Sequence, residues 1–347
     1  MSESDLGVRH LCRGIVTNPL GLHCNMSTGQ APYDELEQIN QFLGGLGRAV
    51  ERGATFFDTS DSYDYGNTER VIGTFLRRHP ELPLQLSSKV GQLRGSAEHP
   101  YAGRRIHHQL EQSLENLYAE QLHLYTLDSF DFGPDDRYLG NAIDVMRTLR
   151  EVESIKAIGL RGPSVSYAAS PEEWAAEAER FLYLFRLVKP DVVWTRFNAF
   201  TPAVSIDGDD LFAFTARHGV GLVLAATLVH GLLTGEASSR AVLSPRRAGL
   251  IPPLIQQFDE GLQGLRDHFG DAPGALTRLA LRSSLQRGDQ CVVVVDFSNE
   301  QQVEESYHGM GLPLTPEELG VVGHAYADLR TGLHEAATRS STNELQA

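Results

Sequence analysis

The chain has 347 residues, 41% hydrophobic and 22% charged, so it can bury a full core and is neither disordered nor fibrous. Its 30 lysines and arginines stand against 45 acids, a formal charge of −15, which excludes an extended phosphate-tracking surface and nucleic acid as partner. No apolar run approaches the roughly 18 residues of a membrane span, the start MSESDLGVRH lacks the basic and apolar regions of a signal peptide, and the widely separated Cys12, Cys24 and Cys291 encode neither a disulfide framework nor a thiolate metal site; a cytoplasmic chain with reduced, mostly buried thiols is expected.

In chain order, strand-like apolar runs fall at 15–22 (IVTNPLGL), 54–58 (ATFFD), 84–89 (LQLSSK), 122–127 (LHLYTL), 155–160 (IKAIGL), 191–195 (DVVWT), 220–225 (VGLVLA) and 291–295 (CVVVV). Between them run helical stripes spaced by threes and fours, such as Ile39/Phe42/Leu43/Leu46/Val50, Val71/Ile72/Phe75/Leu76, Ile106/Leu110/Leu114/Leu117 and Val145/Met146/Leu149/Val152. Short strands that are almost continuously apolar are buried on both faces, as a parallel sheet flanked by helices requires. Ser170-Pro171-Glu172-Glu173 and Thr315-Pro316-Glu317-Glu318 each offer an N-cap hydroxyl, a proline at the first helical position and a glutamate at the third. Eight βα units with no phosphate-cradling glycine pattern after the first strand favour a closed (β/α)8 barrel over an open doubly wound sheet. The expected organisation is one barrel over 1–336, with an irregular excursion at 227–254, and a polar tail at 337–347.

Chemistry in a parallel barrel sits where the strands end at the C-terminal face. ATFFD ends at Asp58 and leads into TSDSY, which places Tyr63 in the following loop, and LQLSSK ends at Lys89. An amine beside a phenol favours phenolate, and an acid would hold the amine charged and oriented, so the trio could pass a proton to a carbonyl oxygen. The same residues also fit a turn cap at Asp58 and an ordinary ion pair. Asp61 and Asp64 read as solvated loop charges, and adjacent His107 and His108 on a helix diverge too far to share a metal, so no metal site is expected.

The stretch GATFFDTSDSYDYGNTERVIGTFL, followed by LSSKVG, resembles the aldo-keto reductase family, with weaker likeness at LGLHCNM, SIKAIGL, PDVV, HGLLTG and FSNEQQVEES. SSKVG is closest to members acting on sugars and pyridoxal-like aldehydes. The resemblance implies a (β/α)8 barrel, a nicotinamide cofactor extended across its mouth, and Tyr63 as general acid assisted by Asp58 and Lys89. Where the family's fourth strand ends in a histidine, YTLD puts Asp128, a fourth candidate for the catalytic set; His123, inside that strand, reads as a core histidine.

The implied cofactor pocket departs from the family at several places. Arg161-Gly162 stands for Ser-Asn, Trp194 for glutamine, Ala225 or Ala226 for a stacking aromatic, and Asp296, Gln302 and Ser306 for the residues that close the dinucleotide. Ser298 and Asn299 open a helix whose free N–H groups suit a phosphate, with Asn299 as N-cap. Negative Asp296 would repel a 2′-phosphate but accept a hydrogen bond from a ribose hydroxyl, so NAD(H) is expected over NADP(H) if a dinucleotide is used. Arg161, either a carboxylate clamp or the ion partner of Asp128, joins Trp194 and Phe130 as substrate-binding candidates. Three functions follow from this pattern: hydride transfer between nicotinamide and a small polar or natural-product carbonyl or alcohol, cofactor-independent proton transfer (lyase, dehydratase or epimerase) by Asp58, Tyr63, Lys89 and Asp128, and a binding module that has lost turnover.

Overall fold

A computed structural model describes residues 6–26, 35–164, 169–198, 201, 204–229, 231–234 and 252–344. A hairpin of β1 (Arg9–Cys12) and β2 (Ile15–Thr17) precedes the barrel strands β3 (Leu20–His23), β4 (Phe56–Asp58), β5 (Gln85–Val90), β6 (Leu122–Leu127), β7 (Ile155–Arg161), β8 (Val192–Arg196), β9 (Gly221–Ala225) and β10 (Cys291–Asp296). All neighbours from β3 to β10 pair in parallel, and β10 returns to β3 to close the barrel. The (β/α)8 expectation is therefore met. The expected strand 15–22 is corrected: Ile15–Thr17 pairs antiparallel with Arg9–Cys12, and only Leu20–His23 enters the barrel. Asn18-Pro19 is the break, since proline has no N–H for a ladder.

Around the barrel lie α1 (Glu35–Glu51), α2 (Asn67–Arg78), α3 (Arg105–Leu117), α4 (Leu139–Glu151), α5 (Pro171–Val188), α6 (Leu211–Arg217), α7 (Pro252–Phe269), α8 (Ala275–Leu285), α9 (Glu300–His308) and α10 (Pro316–Glu344). Both expected capping boxes form: Ser170 Oγ accepts from the Glu173 amide at 3.2 Å while Glu173 takes the Ser170 amide at 2.7 Å, and Thr315 and Glu318 exchange bonds of 3.1 and 2.7 Å. The boundary expected at 336/337 falls inside α10, which runs on to Glu344. Of the excursion read at 227–254, residues 230 and 235–251 lie outside the described residues. Among the described residues no helix is long and apolar enough to cross a membrane. Cys24 and Cys291 are buried, Cys12 is half-buried, and all three are free thiols.

Side chains alternate across each strand, which divides the core in two. One set faces the helices; the other, with Phe56, Leu124, Ala157, Val192, Trp194, Val223, Val292 and Val294, fills the barrel. Leu11 and Ile15 of the hairpin join this inner cluster. They close the N-terminal end, and Arg9, 1% exposed, ties the plug in place through the carbonyls of Gly288 (3.0 Å) and Leu285 (3.1 Å). The opposite end is left for polar groups.

Candidate active site

Continuing the inward period of two from Phe56, Leu124, Ala157, Trp194 and Val294 brings Asp58, Asp128, Arg161, Arg196 and Asp296 to the C-terminal mouth, with His23 and Lys89 at the same level on β3 and β5. The registers agree: His23 is the lateral partner of both Asp58 and Asp296.

Asp58 is the centre of this layer. Fully buried, it accepts four hydrogen bonds: on Oδ2 from Lys89 Nζ (2.7 Å), Trp194 Nε1 (3.0 Å) and His23 Nδ1 (3.0 Å), and on Oδ1 from Ser87 Oγ (2.7 Å). Burial alone would raise its pKa, but the Lys89 ammonium and the His23 bond outweigh it and hold the carboxyl below its usual range. Asp58 is thus a fixed anion whose lone pairs are taken.

Lys89, buried as well, also donates to the Thr59 carbonyl at 2.6 Å and lies 5.2 Å from the Tyr63 ring centroid and 4.7 Å from that of Trp194. It makes no hydrogen bond to the Tyr63 hydroxyl. The expectation that Lys89 lowers the phenol's pKa is corrected accordingly: burial first, then Asp58 and Asp128, push Tyr63 well above its ordinary value. The ammonium is already matched by Asp58, so what reaches Tyr63 is the net field of an ion pair plus further carboxylates. A turn with Asp64, Tyr65 and Gly66 in the left-handed region (φ 49°, 51° and 80°) follows the phenol.

Asp128 joins the layer from the end of β6. Burial raises its pKa, the charges of Lys89 and Arg161 oppose this, and the net direction is upward. Gln92 Nε2 donates to its carbonyl (2.7 Å) and to Oδ2 (3.3 Å), while Oδ1 is buried with no hydrogen-bond partner among the described residues. Arg161 Nη1 donates to the Asp128 carbonyl at 3.3 Å and stands 4.0 Å from Oδ1, so of its two readings the structure favours the ion partner.

Other candidates are placed apart or otherwise engaged. Trp194 is 3% exposed and its indole N–H goes to Asp58. Phe130 packs toward Phe181 of α5 at 6.3 Å between ring centroids, with its carbonyl held by Arg180. His123 takes the Leu86 amide on Nδ1 at 3.1 Å, and burial lowers its pKa to about 4, which makes it a neutral structural group. At the end of β10, Asn299 caps α9 by accepting from the Gln302 amide (3.0 Å), Gln302 Oε1 takes the Ser298 amide (2.7 Å), and Ser306 Oγ donates to the Gln302 carbonyl (2.9 Å). These four are tied together through Gln302.

Four residues of the site region escape the sequence reading. His23 and Arg196 stand one position beyond the ends assigned to their strands; carrying the alternation one residue further finds both. Asp61 and Glu69 are buried, which corrects Asp61 as a solvated charge; exposed Asp64 fits that description. Gln109 Nε2 donates to Asp61 Oδ2 at 2.5 Å, and Ser88 Oγ to Glu69 Oε1 at 2.8 Å. Ser88, pointing outward on β5, was the available signal: a hydroxyl on the helix-facing side of a strand needs a polar partner there.

Compared with known proteins, residues 23–326 match the model of the Aldo/keto reductase family. L-galactose dehydrogenase of Arabidopsis thaliana is 23% identical over 262 residues, 74% of each chain. NADH-specific methylglyoxal reductase of Escherichia coli is 20% identical, covering 76% of this chain and 80% of its own. Among solved structures, the glycerol dehydrogenase of Gluconobacter oxydans superposes with a TM-score of 0.70 at 19% identity, over 93% of this chain and 96% of the other.

Proposed function

The chain belongs to the aldo-keto reductase family, and on that premise we propose that it interconverts a carbonyl and an alcohol on a small polar or natural-product substrate, with Tyr63 as the proton-handling group and a nicotinamide dinucleotide as hydride carrier. The observation that carries this reading is the Tyr63 ring standing over the buried Lys89–Asp58 pair at the barrel mouth. Raised in pKa, the phenol holds its proton at neutral pH and offers it to a carbonyl oxygen that gains negative charge. Lys89 beneath the ring then meets the developing phenolate with a positive charge. Asp128, which keeps its proton to higher pH than an exposed carboxyl, has a buried oxygen that takes no hydrogen bond among the described residues and through which it would engage the same substrate oxygen.

The nicotinamide, when bound, supplies or removes hydride at the substrate carbon. Residues that fit its dinucleotide are Asp296, Ser298 and the start of α9, where the amides of Glu300 and Gln301 precede the helix's own acceptors. Support for NAD(H) over NADP(H) comes from charge. Asp296 and Glu300 lie at that end, and Arg282 and Arg287 are committed elsewhere, Arg282 to the carbonyls of Met310 (2.8 Å) and Gly311 (2.5 Å) and Arg287 to Asp210 (2.6 Å).

One experiment tests both parts: titrate NADH and NADPH into the purified protein by nicotinamide fluorescence, then assay aldehyde reduction in wild type and Tyr63→Phe. NADH should bind more tightly, and the variant should fold normally while losing about 10²- to 10⁴-fold in kcat/KM. Near wild-type turnover in the variant refutes the role of Tyr63, tighter NADPH binding refutes the preference, and binding of neither moves the reading to proton transfer without a cofactor.

A further inference from the structure

The cations of the mouth are matched from within the fold, with one exception. Lys89 lies 2.7 Å from Asp58 Oδ2, Arg161 stands 4.0 Å from Asp128 Oδ1, and His23 sits between Asp58 (3.0 Å) and Asp296 (4.0 Å). The Arg196 guanidinium makes no hydrogen bond and no ion pair among the described residues. Its place is set by the strand. On β8, Val192 and Trp194 belong to the inner cluster and Val193 to the outer one, and buried Thr195 sends its hydroxyl to the Pro163 carbonyl at 3.2 Å. The period of two therefore points Arg196 inward, two residues and about 7 Å above Trp194 along the barrel axis, and the residue is exposed. Its lateral partner on β9 is Ala225, which offers only a methyl group. Across the mouth its charge reaches the phenol: burial, Asp58, Asp128 and Asp296 push the pKa of Tyr63 up, and Arg196 works against them.

We propose that Arg196 is the anion-binding residue of the substrate site, and that the substrate is a carbonyl compound, or the matching alcohol, that carries a carboxylate. A guanidinium presents a planar fork that two carboxylate oxygens can accept from. A phosphate monoester, with nearly two charges, would set the second against Asp128 and Asp296, whereas one carboxylate balances one guanidinium. The substrate then spans the mouth above Trp194, with its carbonyl oxygen at Tyr63 and its anionic end at Arg196. This deepens the preceding reading and rests on it for the carbonyl at Tyr63.

The test compares 4-carboxybenzaldehyde with 4-nitrobenzaldehyde, whose para groups are alike in size and planarity but differ in charge, in wild type, Arg196→Met and Arg196→Lys. The carboxylate-to-nitro ratio of kcat/KM should fall about 10- to 10²-fold in Arg196→Met, mainly through the KM of the carboxylate. It should fall less in Arg196→Lys, which keeps the charge but not the fork. Any effect of the arginine on Tyr63 acts on both aldehydes and cancels in the ratio. Calorimetric binding of 4-(hydroxymethyl)benzoate and 4-nitrobenzyl alcohol, with and without NADH, reads the same site without turnover, and the affinity ratio should fall in the same way. An unchanged ratio in Arg196→Met, or a wild type that does not bind the benzoate, overturns the proposal. So does an Arg196→Met that binds NADH more weakly with both ratios unchanged, because the guanidinium then serves the dinucleotide phosphates. If neither aldehyde is reduced while benzoate binding is present in wild type and lost in Arg196→Met, the carbonyl–alcohol reading fails and the anion site stands.

Discussion

A carboxyl enclosed by protein and set near other carboxyls keeps its proton, and Asp61 is such a group. Burial foremost, with Glu69 and Asp128 adding to it against the Gln109 and Ser60 bonds, raises its pKa to about 7. In the unfolded chain it titrates near 4. Between those values the folded protein holds a proton that the unfolded chain has shed, so the contribution of Asp61 to stability falls as pH rises through that window and levels off above it. Three pH units at about 1.4 kcal/mol each make the ionised group a burden of roughly 4 kcal/mol at pH 8. Asp61→Asn keeps an acceptor toward Gln109 Nε2 and turns its amide N–H toward the Ser60 hydroxyl, which in the wild type donates to Asp61 Oδ1 at 3.3 Å. Its thermal midpoint should exceed that of wild type at pH 8, and the gain should shrink as pH falls through the window and vanish below about pH 4; a difference independent of pH would show that Asp61 does not titrate in the fold. The same scale explains what could be read without the structure. Asp58, Tyr63 and Lys89 could be found because the Asp-Thr-x-x-x-Tyr run and the strand-ending lysine mark them. The burial of Asp61 could not, because it depends on how closely α3 lies on the loop after β4, and no local pattern records that distance; for Glu69 the outward hydroxyl of Ser88 is the one indirect sign.

Between elements, contact depends on single small residues. Gly73 of α2 faces the chain just before the end of α3: an added Cβ would lie 2.0 Å from the Asn116 carbonyl oxygen and 2.9 Å from the Tyr118 ring. Backbone cannot swing away as a side-chain tip can. Gly73→Ala gains up to about 1 kcal/mol in helix propensity, yet the clash typically costs about 1–3 kcal/mol and would also displace Asn116, whose Nδ2 donates to Glu69 Oε2 at 3.1 Å. The net effect in chemical denaturation should be destabilising, and an alanine variant as stable as wild type would mean that the helices can part freely. At this scale the sequence carried most of the answer: periodicity found the helices, and serine and threonine before Pro-Glu-Glu found two of their starts. It failed at Asn18-Pro19, where apolar character runs on through a break in the ladder. The error moved the first barrel strand's end to Leu22 and so hid His23.

Taken whole, the barrel separates stability from chemistry along its axis. The ionic layer of His23, Asp58, Lys89, Asp128, Arg161 and Asp296 occupies one end, and the apolar plug of Leu11 and Ile15 closes the other, beneath Phe56, Val192, Val223 and Val292. The eightfold alternation of strand and helix made the barrel readable from sequence, whereas the plug did not follow from it, because a hairpin of four- and three-residue strands shows almost no periodicity. Ile15 is fully buried in the inner cluster, and its removal to alanine leaves a void that surrounding strands, each paired on both sides, cannot collapse to fill. Ile15→Ala should therefore cost about 2–5 kcal/mol. Because the plug shares no residue with the mouth, the variant should keep the wild-type kcat/KM and pH profile at temperatures where it remains folded. The check is a pair of measurements on one preparation, denaturant unfolding and aldehyde reduction. A stability loss accompanied by an equal fractional loss of activity under folding conditions would show that the two ends of the barrel are coupled through the inner cluster, and the division of labour along the axis would have to be abandoned.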